Sequence, residues 1–94
     1  MKLLSLTKSD RAEKKYKATF EIDGKTKSTH FGSKGSSTFL DHKDTKKRSA
    51  YLARHKVRED WSNPITAGSL SRYLLWNKET LSASITDFKK RFNL

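Results

Sequence analysis

Between residues 14 and 32 apolar and polar side chains alternate, with Tyr16, Ala18, Phe20 and Ile22 set against Lys17, Thr19 and Glu21. A period of two puts the first set on one face of a β-strand and the second on the other. Asp23-Gly24 closes this run, and that dipeptide favours the two-residue hairpin turn in which both central residues take positive φ. The return strand ends near Phe31. Leu3, Leu4 and Leu6 precede a polar segment at 9–13 and predict a further strand, extending the hairpin to a three-stranded meander. Gly32-Ser33-Lys34-Gly35-Ser36-Ser37 reads as a loop, followed by a short extended piece around Thr38, Phe39 and Leu40.

From about Asp44 the pattern changes to helical. Asp41 and Asp44 can cap, residues 45–58 contain no Gly or Pro, and Ala50, Ala53 and Val57 with Tyr51 and Leu52 form a broad, weak apolar stripe. Pro64 ends that helix, because the residue before a proline avoids the αR region. Thr66 caps a second helix running to about Asn77, on which Leu70, Tyr73 and Leu74 share a face widened by Leu75 and Trp76. Thr80 caps a third, where Leu81, Ile85, Phe88 and Phe92 recur at helical spacing and Lys89, Lys90 and Arg91 meet the negative end of the dipole. The predicted architecture is α+β in a single domain, residues 1–94. Its β-rich part (1–32) is a hairpin or three-stranded meander, joined by a loop (33–43) to two or three packed helices (44–94).

Only 33% of the residues are hydrophobic, so a core in a 94-residue chain is thin and depends on its aromatic side chains. Charge alters the picture more. Lys and Arg total 21 against 10 Asp and Glu, a formal net charge of +11. A field this dense attracts polyanions: nucleic acid, an anionic membrane surface or an acidic protein. No apolar run approaches the length needed to span a bilayer, so membrane insertion is not expected, and no signal-peptide core follows Met1, so neither is secretion. The absence of cysteine removes disulfides and thiolate metal sites together.

The densest charge lies between His42 and Arg58, which hold seven Lys or Arg, two His and one acid. Each phosphate contacted by such a cation releases condensed counterion, the main source of sequence-independent affinity for nucleic acid. The candidate phosphate contacts are Lys43, Lys46, Lys47, Arg48, Arg54, His55, Lys56 and Arg58, with Lys34 added from the glycine loop. That loop does not match Gly-x-x-x-x-Gly-Lys-Ser/Thr, so nucleotide hydrolysis has no support. Asp41, His42 and Asp44 are adjacent rather than at helical ligand spacing, and His30 and His55 lie apart in the sequence. No catalytic residue, metal or cofactor is therefore expected. Trp61 and Trp76 read as core anchors ahead of base-stacking platforms.

The series His30-Phe31-Gly32, His42-Lys43-Asp44, Tyr51-Leu52-Ala53-Arg54-His55-Lys56, Trp61, Asn63-Pro64, Thr66-Ala67-Gly68 and residues 70–78 resembles a family of short basic proteins. These are encoded by nucleocytoplasmic large DNA viruses, including giant viruses of amoebae and algae. The resemblance covers roughly residues 15–93 and supplies no catalytic or ligand-binding residues. It implies a virion or viral factory, in the cytoplasm or nucleus of an infected cell, built around a large double-stranded DNA genome. The expected function is largely sequence-independent nucleic-acid binding, DNA ahead of RNA, with room for homo-oligomerisation. The alternatives are a structural virion protein contacting acidic protein or membrane components and, third, a small nuclease.

Overall fold

The computed structural model describes all 94 residues. Strands β1 (Lys2–Lys8), β2 (Lys14–Ile22) and β3 (Lys25–Ser33) form an antiparallel sheet in the order β1-β2-β3, the expected meander. The turn between β2 and β3 has φ of 51° at Asp23 and 79° at Gly24, the conformation that the Asp-Gly pair predicts. Register sets Phe20 beside Leu3 and Lys27, Ala18 beside Leu6 and Thr29, and Tyr16 beside Phe31. The β2 alternation thus gives the sheet one apolar face. The other face is hydroxyl-rich, with Thr19 and Ser28 hydrogen-bonded across the strands at 3.2 Å. A bulge between Leu3 and Ser5 leaves Leu4 exposed.

The segment after the sheet departs from expectation. Instead of an extended piece at 38–40, Phe39–His42 form one helical turn, α1, so the 33–43 stretch is not loop throughout. The cause is local: Asp41 accepts from the Thr38 backbone N–H at 2.7 Å and from its hydroxyl at 3.2 Å, a cap that extended backbone cannot make. Helix α2 (Thr45–Lys56) starts where Asp44 accepts from the N–H groups of Lys46 and Lys47. Helix α3 (Ala67–Leu70), capped by Thr66, runs directly into a π-helical turn at Ser71–Leu75. Helix α4 (Leu81–Phe92) is capped by Thr80.

The fully buried cluster comprises Ala18, Phe20 and Phe31 from the sheet, Leu70, Leu74 and Leu75 from α3 and the π turn, and Phe88 from α4. Tyr73, Ile85 and Phe92 pack around it, with Phe88 and Phe92 ring centroids 5.2 Å apart. The α3–α4 pair therefore covers the apolar face of the sheet, as their spacing predicts. Helix α2 follows its predicted stripe only in part. Tyr51 and Leu52 turn inward, joined by Arg48 and His55, whereas Ala50, Ala53 and Val57 face solvent, Val57 at 82% exposure. One aromatic ring outweighs three small side chains in buried area.

Phe88 is the one α4 side chain wholly inside the cluster. Phe88→Ala should cost about 3–5 kcal/mol, a large part of the stability of so small a domain. Urea unfolding followed by circular dichroism checks this, and a midpoint like that of the parent would make α4 peripheral.

Candidate nucleic-acid interface

Helix α2 lies outside the main core and is held by aromatic and polar contacts. Tyr51 stacks on Trp76 with centroids 4.3 Å apart and planes 5° from parallel. His55, one turn further along α2, stacks on the other face of Tyr51 at 4.1 Å. His42 tilts against Trp76 at 5.3 Å, so four rings in contact link α1, the end of the π turn and α2. Arg48 adds a second tie: its Nη1 donates to the Asn77 carbonyl at 2.7 Å, and its guanidinium lies 4.6 Å from the Phe39 ring centre.

These contacts sort the nine predicted phosphate-binding residues. Arg48 is committed to the interior contacts just described and differs in role from the expectation. His55 donates through Nδ1 to Glu59 Oε1 at 2.9 Å and is half-buried. Lys43, in the left-handed conformation at φ 53°, folds its Nζ onto the Leu40 carbonyl at 3.1 Å. Lys43 nonetheless stays exposed, as do Lys34, Lys46, Lys47, Arg54, Lys56 and Arg58. Lys47 and Arg54 are seven residues apart on α2 and share a flank, which Arg58 extends past the helix end, while Lys56 falls on another side. Acids neutralise little of this charge. Of the 21 lysines and arginines, only Lys15 and Arg91 lie within 4.0 Å of a carboxylate, on Asp41 and Asp87.

Beside Arg54 a cavity of about 490 Å³ opens between the end of the sheet, the glycine loop, α2 and α3. Lys14, Tyr51, His55, Glu59, Ser71 and Trp76 line it with Arg54. Two glycines shape it. Gly32 has φ +78°, and a Cβ there would come within 2.9 Å of Leu75 Cδ1, so only glycine lets the π turn approach β3 this closely. A Cβ on Gly68 would collide with the Glu59 carboxylate, which occupies that space while accepting from His55. Sequence reasoning missed Lys14, Glu59 and Gly68. The available signal was the spacing of Tyr51, His55 and Glu59, four residues apart in succession.

The other histidines are also occupied. His30 Nδ1 is 2.7 Å from Ser9 Oγ, and His42 Nδ1 accepts from the Asp44 N–H at 3.0 Å. No three His, Asp or Glu side chains meet as a metal cluster, and no helix is long and apolar enough to cross a membrane. Trp61 is half-buried, with the Arg72 guanidinium 5.4 Å from its ring centre. Burial holds that guanidinium below its usual pKa.

The class defined by this fold and surface is a small basic α+β domain, a three-stranded meander carrying a weakly anchored cationic helix. Residues 4–55 match the model of a family of unknown function, DUF5754, and the chain belongs to that family. The matched stretch holds the sheet from Leu4 onward, the glycine loop, α1 and α2 as far as His55. No curated protein and no solved structure matches the chain.

Burial among these rings, with Glu59 nearby, pushes the Tyr51 hydroxyl up to about 12 from 10.0. A raised folded-state pKa means stability intact below the unfolded value and lost as pH rises from there through the folded one. Absorbance at 295 nm should show one of the three tyrosines ionising only near pH 12, and Tyr51→Phe should remove that late step. The variant should also lack the Tyr51 part of the stability loss between pH 10 and 12.

Proposed function

We propose that this chain is a non-enzymatic nucleic-acid-binding protein that grips phosphates with little regard to sequence, on DNA ahead of RNA. The observation that carries this reading is the unneutralised charge: a formal +11 in which only two of 21 cations reach a carboxylate. A fold stabilised by its own ion pairs would have spent that charge internally. Here exposed cations stand on the Lys47–Arg54–Arg58 flank and in the glycine loop, free to displace counterions. The non-enzymatic part is supported by the incompleteness of both histidine pairs: His30 meets Ser9 with no carboxylate bonded to the ring, and His55 meets Glu59 with no hydroxyl bonded to it. The resemblance to proteins of large DNA viruses supports a place in the virion or viral factory, where coating or condensing a genome needs sequence-blind contacts. The exposed Ala50, Ala53 and Val57 stripe among these cations favours, as a second reading, an acidic structural protein as partner.

A salt series decides between them. If about five to seven phosphates are engaged, log K for duplex DNA should fall against log salt with a slope on the order of −5 to −6. Absence of binding at about 50 mM salt, where counterion release favours association most, would rule out the nucleic-acid reading. Replacing Lys47, Arg54 and Arg58 by Gln should weaken binding to every duplex alike and make the slope shallower by roughly three. The same loss from Lys89, Lys90 and Arg91 would mean diffuse charge without a defined face.

A further inference from the structure

The cavity beside α2 has a composition that phosphate contact alone does not explain. Two cations, Lys14 and Arg54, line it together with hydroxyls, yet so does the end of an aromatic column. In that column Trp76, Tyr51 and His55 stack in succession at 4.3 and 4.1 Å, so both faces of Tyr51 are covered. His55 has one face on Tyr51 and its Nδ1 edge on Glu59, while its side chain remains 41% exposed. No second ring stacks on His55, so its face away from Tyr51 is left unstacked. Glu59, held in the space that Gly68 leaves free, fixes the plane of the ring. The column thus ends in an oriented, unstacked π face inside a cationic cavity.

We infer that this cavity takes one unpaired nucleotide, its base stacked on the outer face of His55 and its phosphate between Lys14 and Arg54. The inference rests on the nucleic-acid reading above and adds a preference for single-stranded segments or ends. The chemistry fits on three counts. A planar base extends a stack of planar rings, and the stacking is tolerant of sequence because every base has a π face. The volume of about 490 Å³ lies within the usual range for a pocket that encloses a small ligand. The Glu59 carboxylate repels phosphate from the His55 end, which assigns the anion to the Lys14 and Arg54 side and the base to the ring. A duplex keeps its bases stacked on one another and cannot present one here without unpairing it.

The test uses the full chain and a twelve-nucleotide strand carrying 2-aminopurine at its centre, as single strand and as duplex, with free 2-aminopurine nucleotide as a third probe. Stacking quenches 2-aminopurine, so the single strand should lose fluorescence on binding. His55→Phe, which keeps a planar ring, should retain the quench. His55→Ala should abolish it and weaken single-strand binding about tenfold, a factor within the range measured for removing one base–aromatic stack, with a clearly smaller loss on the duplex. Quenching and affinity in His55→Ala equal to the parent would overturn the inference and leave phosphate-driven duplex binding standing. Equal weakening of single strand and duplex would overturn it too, since His55 would then serve the fold or general charge. Saturation by the free nucleotide at lower concentration than the strand would overturn the assignment to a strand. Failure of every probe to bind would remove the inference together with the reading beneath it.

Discussion

The stack of Tyr51 on Trp76 is the contact through which the basic helix joins the rest of the protein. Helix α2 contributes no residue to the buried cluster between the sheet and the α3–α4 pair. Of its side chains only Tyr51 is buried. The flank carrying Lys47 and Arg54 takes its orientation from that ring and from the Arg48 bond to the Asn77 carbonyl. The core, in turn, presents Trp76 because Leu74 and Leu75 just before it are drawn into the same buried cluster as Phe20 and Phe31. Orientation of the charged surface is thus transmitted from the sheet through two leucines and two rings.

This arrangement answers a conflict within the composition. A helix that carries Lys46, Lys47, Arg54 and Lys56 gains little from an ordinary hydrophobic stripe, because its cations must stay in water on most sides. Aromatic stacking concentrates the attachment into one residue and leaves the remaining surface for charge. Arginine takes part in both roles. Arg48 uses its planar fork and π face inside the fold, over Phe39, and Arg54 keeps its fork outside. Lysine in place of Arg48 would have one compact charge and no such plane.

The fold was largely legible in the sequence because its main signals are local. The β2 alternation, the Asp-Gly turn, and the caps at Asp44, Thr66 and Thr80 each act within a few residues of where they are read. The failures have the opposite character. Ala50, Ala53 and Val57 have helical spacing, but whether they face the core depends on what Trp76 offers Tyr51 from a distant segment. Thr38 and Phe39 look like strand residues until Asp41 is counted as the acceptor that closes a turn. In the candidate interface the surplus of cations was legible, and most of those singled out are exposed. The withdrawal of Arg48 and the cavity were not, since Lys14, Glu59 and Gly68 are brought together only by the tertiary fold.

The π turn at Ser71–Leu75 gives segment length a meaning that composition does not carry. Trp76 N–H donates to the Ser71 carbonyl, five residues back, at 3.1 Å. The turn therefore behaves like a dislocation in a lattice: one added unit is absorbed locally, and everything beyond it is offset. Because adjacent positions on an α-helix differ by about 100°, a chain one residue shorter here would wind regularly and carry its tryptophan about a quarter-turn around the axis, away from Tyr51. Many conservative substitutions in this stretch would leave the docking of α2 in place, whereas a single-codon deletion would re-aim it. Natural variation here should accordingly preserve length as strictly as it preserves the buried Leu74 and Leu75.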